Sequence, residues 1–276
     1  MKLMEPRPAA DTACAMIRDL RTILEGWEYE PGKISVRKII GRDGREKIQT
    51  RIDLGVLQLE YAGRPDGQRP RGHESLLEYH EQRLREHTET CGHDEDFVLS
   101  PEDCRDLRHE AYLYYQRYLS LFVLEEFDGV ERDTARNLRL IDLCERYAAT
   151  EADRGALGRQ RAYVMMMYAR GRAFGALRDG RYEQALRFAD EGIASLDALP
   201  GDEPDSDRHA SEIKTLRGLR LEILKEMPDN APPKLESELA QALACEDYER
   251  AAELRDMLNL RPAVPASPAP ARRSQR

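Results

Sequence analysis

Three histidines, His73, His80 and His87, recur every seven residues, Cys91 follows His87 by four, and His93 lies close behind. A histidine and a cysteine four residues apart share one helix face, a spacing that zinc can use. Glu74, Glu78, Glu81 and Glu86 run through the same stretch, so the plainer reading is a solvated helix face with no metal at His87, Cys91 and His93. The five cysteines, Cys14, Cys91, Cys104, Cys144 and Cys245, are odd in number and form no CxxC pair. That pattern suggests neither a disulfide framework nor a zinc ribbon and suits a reducing cytoplasm. No GxxxxGK[ST] phosphate loop is present and no Ser-His-Asp or Cys-His order stands out. Among 52 acidic residues, carboxylate pairs are unavoidable and carry no weight. No catalytic, cofactor-binding or metal-binding residue is assigned, and the chain is expected not to be an enzyme.

A basic segment is more informative. Between Lys33 and Arg71 ten basic residues stand against five acids, in a chain whose net charge is −9. Nine of them, Arg37, Lys38, Arg42, Arg45, Lys47, Arg51, Arg64, Arg69 and Arg71, are candidate contacts to an acidic protein or a nucleic-acid backbone. The blander reading is that they guard the edges of a small sheet. A chain this acidic cannot offer its whole surface to nucleic acid, so any such contact is local.

These residues must be held by folded elements. With 276 residues, 41% hydrophobic and 34% charged, and only 7% aromatic, the composition is that of packed amphipathic helices. Ala13, Met16, Ile17, Leu20, Ile23 and Leu24 recur at helical spacing and predict a first helix over residues 9–27. From Lys33 to Tyr61 the period becomes two, and Arg42, Asp43 and Gly44 are expected at the tip of a β-hairpin. Its apolar side, Ile34, Val36, Ile48, Ile52 and Leu54, should be covered by Ile17, Leu20 and Leu24 of the first helix and by Leu76, Leu77 and Leu84 of the next. Arg37, Lys47 and Arg51 should share the other side, and the phase shift after Gly55 reads as a bulge or bend. After a Pro- and Gly-rich loop at 63–72, helices are expected over 73–90, 101–127, 132–150, 159–178, 182–199 and 208–227. The N-terminus lacks the apolar stretch of a signal peptide and no apolar run of 18 residues occurs, so a cytoplasmic protein that does not span a membrane is expected.

Two stretches share the spelling Tyr-Glu-x-Ala, at Tyr182–Ala185 and Tyr248–Ala251. An aromatic opening the second helix of a hairpin, with alanine one turn later, lets two helices approach closely. The first stretch, with Gly171, Phe174, Gly180, Tyr182, Ala185 and Gly192, resembles a tetratricopeptide repeat. The resemblance implies a stack of helical hairpins over residues 73–228 with a groove suited to peptides or helices.

The second stretch, Asp-Tyr-Glu-Arg-Ala-Ala-Glu-Leu-Arg-Asp at 247–256, resembles the UVR motif of bacterial UvrB and UvrC, with Tyr248 in the place of the usual Phe. On spacing alone, Leu235, Leu239 and Leu243 form one stripe, and Tyr248, Ala251, Ala252, Leu254 or Arg255, and Leu258 face it. The resemblance implies a helical hairpin that binds partner proteins, another UVR-motif protein or a second copy among them. Leu235, Leu239, Leu243, Tyr248, Ala251, Ala252, Arg255, Asp256 and Leu258 are its candidate contacts.

The fold class expected is mainly α: stacked, tetratricopeptide-like antiparallel hairpins with an N-terminal β-hairpin and a C-terminal UVR-type hairpin. Its divisions are an N-terminal helix in 1–30, the basic hairpin and loop in 31–72, the helical repeats in 73–228, the UVR-like hairpin in 229–260 and a disordered tail in 261–276. The function expected is a non-catalytic protein–protein adaptor with no cofactor. The alternative is a nucleic-acid-associated accessory of nucleotide excision repair that uses the basic hairpin.

Overall fold

The computed structural model describes residues 20–199 and 209–259. The chain is mainly α-helical, with a small antiparallel sheet near its N-terminus. The segment expected to be the first helix is helical only over α1, Arg21–Leu24, among the described residues. Residues 9–19 and the tail at 261–276 lie outside them. After α1 the chain runs over one sheet face, where the Trp27 indole N–H donates to Ser35 Oγ at 2.7 Å.

The sheet has three strands in the order β1 (Ser35–Ile40), β2 (Glu46–Ile52) and β3 (Gly55–Glu60). Arg42, Asp43 and Gly44 form the expected tip, between Ile40 and Glu46, with Gly44 at a φ of 76°. The phase shift at Gly55 is not a bend: Ile52 pairs with Gly55 across a tight turn and a third strand follows. Alternation places Val36, Ile48, Thr50, Leu57 and Leu59 on one face. Arg37, Lys47 and Arg51 share the other, where Arg37 donates to Gln49 and Gln49 to Gln58, each at 2.9 Å.

The expected cover was misplaced. The apolar face rests on α3 (Pro101–Val123), through Tyr118, Leu121 and a 2.8 Å hydrogen bond between the Thr50 and Ser120 hydroxyls. Leu76, Leu77 and Leu84 of α2 (Leu76–Cys91) pack instead with Phe97, Leu107 and Leu140 in a separate core. Ile34, Ile52 and Leu54 are exposed, Leu54 at 94%. They have the right parity, but Ile34 precedes the first strand residue, Ile52 is the last residue of β2 and Leu54 lies in the second turn, all at the end of the ladder away from the helix cover.

From α3 onward the chain folds as antiparallel helices: α4 (Phe127–Tyr147), the short α5 (Glu151–Gly155), α6 (Gly158–Arg178), α7 (Tyr182–Asp197) and α8 (Ala210–Glu226). Ser100 and Asp103 form a reciprocal capping box at the start of α3, which fixes where that helix begins. The break between α3 and α4 falls at Leu124–Glu126, not near Gly129 as the sequence suggests. Gly129 lies inside α4, where Leu121 of α3 occupies the space a side chain would fill.

Buried ion pairs tie the sheet and loop to this body. Arg117 and Asp133, both about 1% exposed, pair at 2.6 and 2.8 Å, and Arg117 also donates to the carbonyls of Glu60 and Gly63. Glu110 is wholly buried, accepts from Arg136 and from the first two amides of α2, and forms an ion pair with Arg64 at 3.0 Å. Negative charge at a helix N-terminus is favourable, so Glu110 both neutralises cations and seats α2.

Candidate functional site

The C-terminal hairpin consists of α9 (Pro232–Ala244) and α10 (Tyr248–Asn259). Pro232 and Pro233 open α9 at positions where no amide is needed. Its turn is made by Glu246 at a φ of 60°, with the Asp247 N–H donating to the Ala242 carbonyl at 2.9 Å and the Glu246 N–H to Leu243 at 3.2 Å. The Asp247 carboxylate accepts from the Arg250 N–H at 3.1 Å, capping α10.

The same turn occurs twice in the body. Between α6 and α7, Gly180 has a φ of 70° and the Arg181 N–H donates to Ala176 at 2.8 Å. Between α3 and α4, Glu125 has a φ of 59° and the Glu126 N–H donates to Leu121 at 2.9 Å. Ala242, Ala176 and Leu121 are thus equivalent, as are Ala251, Ala185 and Val130, and all six are buried. Each second helix opens on an aromatic: Tyr248, Tyr182 or Phe127.

The environment of that aromatic separates the three. Phe127 stacks on Phe174 of α6 at 5.6 Å, and Tyr182 and Leu177 pack against the main core. Tyr248 is 67% exposed, and Leu243, equivalent to Leu177 and Phe122, is 51% exposed. Within the hairpin, Leu235, Ala242, Ala251 and Leu254 are buried, and Leu239, Ala252 and Leu258 are half-buried. The expected stripes are corrected at two places. Ala242 rather than Leu243 faces α10, and Tyr248 points away from the hairpin core. Arg255 and Asp256 are exposed, while Leu254 fills the inner position. Arg250 bridges Glu238 of α9 at 3.4 Å and Glu253 at 3.0 Å along one edge. The Lys234 ammonium joins the hairpin to α8, donating to the Met227 carbonyl at 3.0 Å and to Asp229 at 2.7 Å. That contact holds the Asp229 carboxyl below its usual range.

The hairpin thus has a small core of four buried residues and leaves Leu243 and Tyr248 exposed on one side. Residues 233–260 match the family model of the UvrB/uvrC motif, UVR. That motif occurs in nucleotide excision repair proteins and mediates protein interactions. No curated protein matches the chain, and no solved structure does.

The basic residues singled out in 37–71 are not gathered on one face. Arg37 lies 4.0 Å from the Trp27 ring centre, Arg51 lies 5.3 Å from that of Tyr29, and Lys47 pairs with Asp43 and Glu60. Lys38 is on the opposite side, 2.7 Å from Glu126, and this pairing raises its pKa. Arg45 pairs with Asp43, and Arg71 donates to the Tyr79 hydroxyl. Arg42 and Arg69 are exposed. Arg64, expected at the surface, is buried at 8% exposure because Glu110 and Asp66 draw it inward.

The histidine row is also corrected. His80 is buried against α3, its Nε2 3.6 Å from Asp103, and burial pushes its pKa down to about 4. His87 meets the Phe97 ring edge-on at 5.8 Å, and Cys91 Sγ is 3.9 Å from His87 Nδ1. Among the described residues no cluster of His, Cys, Asp or Glu could hold a metal ion, and no helix is long and apolar enough to cross a membrane.

Proposed function

We propose that this chain is a non-catalytic adaptor whose C-terminal hairpin recruits a partner protein while its helical body, built like a tetratricopeptide stack, holds another. One observation carries the reading. Three hairpins share one turn, and only in the last are the positions flanking that turn, Leu243 and Tyr248, uncovered. An apolar side that the body covers with its next helix is here left for another molecule, and the match to a protein-interaction motif supports that role. A helix or hairpin of similar spelling is the fitting occupant, so another UVR-motif protein is the partner class. The pathway read by such an adaptor is nucleotide excision repair or another process in which UVR motifs meet. The nucleic-acid reading is the weaker one, because most cations of the sheet are engaged by aromatic rings, carbonyls or carboxylates of the same chain.

The test is affinity capture by the full chain, by a chain ending at Met227 and by Tyr248→Asp. Partners recruited by the hairpin should be lost from both variants, and those held by the body should be retained. Recovery of the same partners by all three would refute the hairpin as the recruiting element.

A further inference from the structure

Glycines inside the body helices lie where helices approach most closely. A Cβ built on Gly129 would stand 2.9 Å from Leu121, on Gly171 2.9 Å from Val130, and on Gly192 2.5 Å from Ala169. At each one, a neighbouring helix fills the place of the missing side chain. Gly218, in the middle of α8, has the same setting in sequence, but nothing lies within 4 Å of where its Cβ would be. A glycine there weakens the helix and gains no contact in return within the chain.

The face around Gly218 has a definite character. Helical spacing groups Lys214, Arg217, Leu221 and Lys225 along one side of it and Glu222 on the other, all exposed and opposite the buried Leu216, Leu219 and Ile223. None of the three cations is in an ion pair among the described residues. Leu221, at 55% exposure, sits among them. A polar outer face is normal for the last helix of a stack. An exposed leucine beside a bare glycine, bordered by three cations and one carboxylate, is instead a surface suited to an acidic amphipathic helix.

This chain carries such a helix. Residues 233–258 hold seven carboxylates against three cations and expose Leu243 and Tyr248. The chain's own hairpin does not lie on the face: Lys234 holds it at the C-terminal end of α8 through the carbonyls of Lys225 and Met227. The hairpin of a second molecule is tethered to its own α8 and not to this one. We propose that the outer face of α8 docks the C-terminal hairpin of a second copy, the two molecules exchanging hairpins reciprocally in a two-fold pair. This rests on the reading of the hairpin as a recruiting element and names one occupant for its open side. Opposite charges fix the orientation, and Gly218 admits the hairpin close to the α8 backbone.

Sedimentation velocity on the full chain, as a function of concentration and salt, tests the proposal. The unmodified chain should self-associate, less so as salt rises. Leu221→Asp should weaken that association by roughly 30-fold or more, as expected for a central interface residue, without lowering the melting temperature. Lys214→Glu with Arg217→Glu, and separately Glu249→Lys with Asp256→Lys, should each weaken it, and mixing the two variants should restore it. A chain that stays monomeric at every concentration, or a dimer indifferent to Leu221→Asp, overturns the proposal. The two readings fail separately. Leu221→Asp removes only the α8 face and should leave partner capture by the hairpin intact, whereas truncation after Met227 removes both.

Discussion

Replacing Leu254 with Asp should unfold the C-terminal hairpin and spare the body. Leu254 is wholly buried, in a core whose other fully enclosed members are Leu235, Ala242 and Ala251. Burying one leucine contributes about 1.5–3 kcal/mol, so two leucines and two alanines leave a small margin once chain entropy is set against them. Shortening a buried leucine to alanine already costs about 2–5 kcal/mol, and an unpaired carboxylate there costs more. The perturbation therefore exceeds what the hairpin can hold. The body should not follow, because the hairpin reaches it through the Lys234 cap and the Ala231 contact rather than through a shared core. Amide exchange resolved by segment is the assay: protection over 233–259 should vanish while that of α3, α4, α6 and α7 stays as in the parent. Loss of protection throughout, or one melting transition lowered as a whole, would show that the hairpin is integral to the body.

Three further outcomes are expected. His80 has a folded-state pKa of about 4, below its usual value, so the unfolded chain binds the extra proton first. Its contribution to stability should be complete above about pH 6.5 and decline as pH falls toward 4, and urea midpoints of His80→Asn against pH should lack that decline. Under native conditions a thiol reagent followed by peptide mapping should modify the exposed Cys91 and Cys245 and spare Cys104 and Cys144, the latter thiol pushed up to about 12 by burial. Gly192→Ala should destabilise by about 1–3 kcal/mol, because its methyl would overlap Ala169 and Leu216, whereas Gly218→Ala should stabilise the isolated chain by about 1 kcal/mol, read from thermal melts.

Much of the architecture is local and was therefore legible in the sequence. Period-two spacing around Asp43-Gly44 located the first hairpin, and the boundaries of α6 and α7 follow from apolar spacing and the Gly180 turn. The errors arose where tertiary contact decides. Gly129 has the look of a helix breaker, yet close packing by Leu121 makes glycine the residue that fits inside α4. Glu125, which nothing in its type marks, adopts the left-handed conformation that ends α3. His80 is flanked by glutamates but turned inward, because α2 rests on α3 along that side. Arg64 and Glu110 are charged residues in the interior, and only their pairing, invisible along the chain, permits it.

Tyr248 is the most instructive of these cases, since its neighbours spell the same pattern as those of Tyr182. Spacing fixed the turn, the cap and the inner alanines in both hairpins, and those features agree closely in the structure. Whether the aromatic is covered depends on what comes next in the chain. After α4 and the short α5 comes α6, whose Phe174 receives Phe127; after α7 comes α8, whose Leu216 meets Gly192. Among the described residues no helix follows α10, so the positions that join one hairpin to the next are left open at Leu243 and Tyr248. The positions that join the body hairpins are thus the ones exposed in the last hairpin. The same spelling gives the same turn, while the cover of the aromatic is set by tertiary neighbours that local spacing does not encode.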